Sequence, residues 1–227
     1  MITDGHAKPM SRRAFLKTAG IALGSAVVIG TGCSVNPDAP QSEISMPNST
    51  FGEDKMSKRI LVTYASQGGS TAGVAEAIAK SLADAGCSVD LRPVKEVADL
   101  TPYNAVVVGS AVHSGKWMPE AANFVERNKA LLRQMPTAIF QVCMMMASSN
   151  AQYKSMVPGW LDPLKDELKP VAAGSFAGAL LLDQYPKFSD RLGLRIFLAS
   201  VKLKEGDYRD WDAIRTWAEN LRPSMLR

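Results

Sequence analysis

The sequence predicts an α/β fold built on a parallel sheet. Two observations carry that expectation: short, continuous, β-branched apolar runs, and helical patterns that alternate with them. The runs are Arg59–Tyr64, Ser88–Leu91, Ala105–Ser110 and Thr137–Val142, and a fifth, Val171–Leu182, holds several Gly and Ala. Unbroken hydrophobicity suits strands covered on both faces, which is what helical crossovers impose on a parallel sheet. Between the runs, Val74, Ala75, Ile78, Ala79 and Leu82 repeat at helical spacing behind a Ser/Thr cap. Glu120 to Leu132 does the same with Ala121, Phe124, Val125 and Leu132. A last helix starts at Asp210, a good N-cap, carries Trp211, Ile214, Trp217 and Leu221 on one face, and is expected to stop before Pro223.

The chain has 227 residues, 46% of them hydrophobic and 21% charged, enough for one sizeable core of a soluble globular domain. The net charge of +4 is dispersed along the chain. A nucleic-acid surface would need clustered Lys/Arg or a recognisable motif, and neither is present. Three cysteines, Cys33, Cys87 and Cys143, exclude a complete disulfide framework, and none stands at metal-ligand or CxxC spacing. The spacing leaves a Cys87–Cys143 pair open. Both lie in apolar, strand-like runs, which predicts two buried thiols, and no metal site is expected.

Residues 1–33 read as an export signal. A basic segment precedes a short apolar, small-residue run, Ile21 to Ile29, well below the ~20 residues that span a bilayer. Ser11-Arg12-Arg13-Ala14-Phe15-Leu16-Lys17 resembles the twin-arginine translocation motif. That resemblance implies a protein exported in the folded state, often around a cofactor, to the periplasm or cell surface. Cys33 closes the run at a position that also resembles a lipoprotein box, with Gly30 where Leu is usual. Residues 34–57 are rich in Ser, Pro, Asn and Asp and read as a flexible tether, spanning ~25–30 Å as a random coil. The folded domain is expected at 58–227.

The chemistry is expected after the first run. In a parallel sheet, ligands bind outside the carboxyl ends of the strands where the strand order reverses. Ser66-Gln67-Gly68-Gly69-Ser70-Thr71 stands at that end of the first strand and opens the first helix. Glycines there allow close backbone approach, successive N–H groups at a helix N-terminus bind anions, and the hydroxyls add donors. The loop has no lysine and no GxGxxG, which excludes a P-loop and a dinucleotide fingerprint. Neutral donors suit a single terminal phosphate.

SQGGST resembles the phosphate loop of the flavodoxin family, with Gly68 where a Thr is usual. The likeness covers 58–221 and is closest to the menaquinone-dependent protoporphyrinogen dehydrogenase branch. VVVGSAVHSGKW after the third run, MPTAIFQVCM at the fourth, and the long segment 180–205 followed by GDYRDWDAIRTWA carry it. It implies a flavodoxin-like, doubly wound, five-stranded parallel sheet of order 2-1-3-4-5, with an insert at about 180–205. It also implies FMN as cofactor. Ser66 to Thr71 would hold the phosphate. Ser110, Ala111, Val112, His113, Ser114 and Gly115 would form the first isoalloxazine loop, and Cys143, Met144, Met145 and Met146 would begin the second. Trp117 would either cover a ring face or anchor the helix from Pro119.

His113 is the only histidine after residue 6, and it is the candidate catalytic residue, a proton donor to flavin or quinone. Residues 58–227 hold 21 Lys/Arg against 17 Asp/Glu, where flavodoxins proper are acidic. That balance, with Lys116 near the ring, is expected to favour reduced anionic flavin and electron exchange with a quinone. On a helix, Lys187, Arg191, Arg195 and Lys202 would share an arc beside apolar residues, a pattern suited to a membrane surface as well as to an ordinary basic outer face. The function these readings imply is a quinone-linked dehydrogenase. A non-catalytic electron carrier, exchanging electrons with a redox protein near the membrane, is the alternative.

Overall fold

The computed structural model describes residues 46–52, 58–185 and 187–226. The twin-arginine segment, Cys33 and all of the tether but 46–52 lie outside them.

Five parallel strands form the centre: β2 (Arg59–Ala65), β3 (Ser88–Pro93), β4 (Ala105–His113), β6 (Thr137–Val142) and β7 (Ala172–Phe176). They lie in the order β3-β2-β4-β6-β7, which counted among the parallel strands is 2-1-3-4-5. The sheet is doubly wound as expected. Helices α1 (Ser70–Asp84) and α6 (Trp211–Met225) cover one face, and α2 (Pro119–Leu132) covers the other. Alternate residues of β2 sort the two layers. Ile60, Val62 and Tyr64 pack with α1 and α6, while Leu61 and Ala65 face the α2 side. Each fully buried Leu, Ile or Phe in these layers contributes roughly 1.5–3 kcal/mol by leaving water.

Small residues in the strands make room for large ones. Gly109 of β4 stands beside Phe140 of β6, and a Cβ on it would fall within 2.5 Å of three ring atoms. Phe140 in turn packs against Phe176 and Trp217, at centroid distances of 6.3 and 6.2 Å. Gly174 in the fifth run has the same cause. A Cβ on Gly174 would meet Phe176 and Trp217 at 2.9 to 3.0 Å.

Three details differ from the sequence reading. Within the stretch read as a tether, Ser49–Phe51 forms β1, an edge strand antiparallel to β3. Backbone pairing and polar contacts hold it, so no apolar periodicity announces it: Thr50 Oγ1 donates to Asp90 at 2.9 Å, and Tyr64 Oη donates to Pro47 O at 2.8 Å. Helix α6 does not stop before Pro223 but runs to Met225. A last-turn proline removes only one amide bond, and Met225 is fully buried beneath the turn. Helix α1 has Gly69 as its N-cap, at φ 74°, without a side-chain cap.

The segment after β7 is bounded by a small antiparallel pair, β8 (Ala179–Leu180) with β9 (Gly206–Asp207). Between them lies α5 (Phe188–Ser200). Lys202 follows the helix at φ 56°, so it leaves the arc shared by Lys187, Arg191 and Arg195. Phe188, Leu192 and Ile196 of α5 are exposed.

Candidate functional site

A cavity of about 770 Å³ opens at the carboxyl edge of the sheet, where the parallel order reverses between β2 and β4. The loops after β2, β4 and β6 form its floor, and the β8–α5 segment forms a wall. Its volume falls in the ~300–1,000 Å³ range of small-molecule sites.

The β2–α1 loop lines it through Ser66, Gln67, Gly68, Ser70 and Thr71. Gly69 lies behind them, its positive φ turning the strand into the helix. With no side chain capping α1, the first-turn N–H groups are free of that competition and face the cavity end of the loop. Ser66 Oγ is buried and makes no hydrogen bond among the described residues. A buried hydroxyl without a partner is costly unless a ligand completes it. This orphaned donor and the helix N-terminus fit a phosphate. Ser70 plays a different part: its Oγ accepts from Ala179 N at 2.7 Å and ties the loop to β8.

The β4 loop contributes Ala111, Val112, His113, Ser114 and Gly115. Ser114 and Gly115 take positive φ, 50° and 74°, and turn the chain into β5 (Lys116–Trp117). Ser110 stays outside the cavity. It is fully buried, donates to Ala111 O at 2.8 Å and accepts from Met118 N at 2.9 Å, so it shapes the loop from behind. Lys116 and Trp117 also lie outside the lining. Lys116 is exposed on the hairpin and directly follows the lining residue Gly115. Trp117 packs with the α2-side core, so of its two expected roles the anchor is the one realised.

The β6 loop contributes Cys143, Met144 and Met145, while Met146 packs behind them with Trp160. Cys87 and Cys143 are buried free thiols. Burial pushes the Cys143 thiol up to about 11, so it is protonated at neutral pH and a poor nucleophile. His113 reaches solvent at the rim, yet partial desolvation against the wall lowers its pKa below the ordinary imidazole value. It is therefore mainly neutral at pH 7 and holds one exchangeable N–H rather than a positive charge.

Several wall residues carried no sequence signal. Tyr153 and Trp160, from the stretch between β6 and α4 (Asp162–Leu168), supply aromatic surface, and Trp160 lies 3.5 Å from where a Gly115 Cβ would be. Tyr185, Asp190 and Phe197 come from the segment after β8. Their placement depends on tertiary folding of loops, which spacing does not reveal. Among the described residues, no group of three or more His, Cys, Asp or Glu is arranged to hold a metal, and no helix is long and apolar enough to cross a membrane.

The fold and cavity thus define a doubly wound α/β protein with a ligand site at its switch point. The flavodoxin-domain family profile matches residues 61–205, and the chain belongs to that family. It is 27% identical over 176 residues to the protoporphyrinogen IX dehydrogenase (quinone) of Leishmania major, covering 72% of this chain and 74% of that protein. It is 22% identical over 173 residues to the protein of the same name from Escherichia coli strain K12, covering 72% and 94%. Among solved structures, a flavodoxin from the domain Archaea aligns with a TM-score of 0.44 and 14% identity over 74% of this chain and 99% of that one.

Proposed function

We propose that this chain is an FMN-binding oxidoreductase that passes electrons between a reduced donor and a quinone. The observation that carries the reading is the single cavity joining the β2–α1 loop, with its orphaned Ser66 hydroxyl, to the β4 and β6 loops. Ser66, Thr71 and the α1 N-terminus would hold the phosphate, and backbone groups of 111–115 and 143–145 would flank the ring. FMN bound there would supply the redox chemistry. The protein's part is to seat it, limit water and manage one proton. Helix α5 walls the cavity with Leu194 and Phe197, which excludes solvent. Neutral His113, at the rim, can accept a proton at its free ring nitrogen and, once protonated, give that proton up again.

The quinone enters the proposal from the names of the relatives. Protoporphyrinogen does not follow so simply, because porphyrin intermediates are cytoplasmic and residues 11–17 resemble an export motif. The proposed donor is therefore another reductant, met by a protein exported and held near the membrane through its N-terminal segment. Walling by α5 favours this enzyme over a carrier, which would present its ring edge directly to a partner protein.

The test is the visible spectrum of the purified protein, with mass identification of the chromophore released on denaturation. FMN should be found, and the loaded protein should reduce a soluble quinone with a diffusible donor. A colourless protein that takes up no added FMN removes the proposal.

A further inference from the structure

The phosphate loop carries Gly68 where the resembling family has a hydroxyl-bearing threonine, and the structure shows what stands in that space. A Cβ on Gly68 would lie 2.6 Å from Tyr185 Oη and 3.3 Å from its Cζ. The tyrosine therefore occupies the ground that a larger residue at 68 would claim. Tyr185 comes from the far side of the cavity, 117 positions along the chain, and both residues line it. The missing side-chain hydroxyl is matched by a foreign one at nearly the same place.

The tyrosine is held there. Its carbonyl accepts from Arg191 Nε, its own N–H donates to Leu182 O at 3.2 Å, and Leu182 N donates to Glu205 Oε1 at 2.8 Å. The start of the same segment is tied to the phosphate loop by the Ala179–Ser70 bond. Backbone and segment are fixed, whereas the phenol makes no hydrogen bond among the described residues. Burial and the nearby Asp190 carboxylate raise its pKa, so it stays a protonated donor at any physiological pH. Ser66 Oγ, a buried hydroxyl that also lacks a hydrogen-bond partner among the described residues, belongs to the phosphate loop itself.

We propose that Tyr185 is a phosphate-binding residue of this site, its hydroxyl replacing the donor that Gly68 lacks, and that Gly68 is required because any larger residue would displace it. This rests on the FMN reading above. A consequence is that the segment after β8 is part of the phosphate seat as well as the cavity wall.

The experiment is a fluorescence titration of flavin-free protein with FMN and, separately, with riboflavin, which has the ring but no phosphate. Tyr185→Phe should weaken FMN binding roughly 10- to 100-fold, the loss of a hydrogen bond to a charged acceptor, and leave riboflavin binding within about twofold. Gly68→Ala should weaken FMN binding in the wild-type background. In the Tyr185→Phe background it should add much less, because the hydroxyl it clashes with is gone. Unchanged FMN affinity in Tyr185→Phe overturns the inference while leaving the FMN reading intact. Equal loss for FMN and riboflavin overturns it too, since that marks a wall residue rather than a phosphate contact. Wild-type protein that binds neither flavin overturns both.

Discussion

Replacing Gly109 by alanine tests how tightly the sheet and its site are coupled. The added methyl would fall within 2.5 Å of three atoms of the Phe140 ring, where ordinary contact begins near 3.4 Å. The ring has to retreat by about 1 Å or more. It cannot do so freely, because Phe140 is fully buried with Phe176 and Trp217 behind it. Overpacking of this kind costs ~1–3 kcal/mol, and the lack of a flexible neighbour places Gly109→Ala at the upper end. For a domain of this size each kcal/mol lowers Tm by ~2–4 °C, so a fall of roughly 6–12 °C is expected. Urea denaturation should show a lower midpoint with an unchanged slope. Phe140→Leu, destabilising alone, should cost less in the Gly109→Ala background, a coupling that shows the two side chains contend for one space. The next residue is Ser110, which holds the β4 loop, so flavin affinity should fall as well. A Gly109→Ala variant within ~0.5 kcal/mol of wild type, or additive effects in the double variant, would refute the reasoning.

Asp90 is fully buried. Burial opposes its ionisation, but hydrogen bonds from Tyr103 and Thr50 and the Arg59 charge at 2.9 Å hold its pKa below the usual carboxylate value. Its contribution to stability is therefore complete above about pH 4 and is lost as pH falls through the lower folded-state value. Asp90→Asn should be less stable at neutral pH and should flatten that acid limb, as read from urea midpoints across the acid range; an unchanged limb would show that Asp90 does not carry it. Cys143 should resist a thiol reagent at pH 8 in folded protein and react once denaturant is added, by peptide mass mapping; rapid labelling without denaturant would contradict its burial. Tyr64→Phe removes the bond to Pro47 O, so hydrogen exchange in β1 should accelerate while the central strands lose only ~0.5–1.5 kcal/mol. Equal acceleration throughout the sheet would mean that β1 does not open independently.

The central sheet was legible because its strands are buried on both faces, and continuous runs such as AVVV at 105–108 have few other uses. The ligand loop was legible because glycine and hydroxyls at a strand–helix junction have a direct electrostatic meaning. β1 was not, since three polar-flanked residues pair through backbone groups that every sequence possesses. Trp117 and Trp160 look alike as isolated tryptophans. Only folding places one against the α2-side core and the other against the cavity. Tyr185 was invisible for the same reason, although Gly68, as a departure from the family pattern, marked the spot where something had to compensate.

β1 also sets how the domain answers a mechanical load. Traction applied upstream of Met46 meets a three-residue ladder, the Tyr64, Thr50 and Asn48 side-chain bonds and the packing of Met46 and Phe51 before any central strand. Peeling that clip frees residues 46–52, ~25 Å of slack at full extension, while the β2–α1 loop and the cavity, which the clip does not touch, keep their shape. The chain thus carries its own strain relief, and a tug from one side is spent on the sheet's margin rather than on the chamber where the ligand sits.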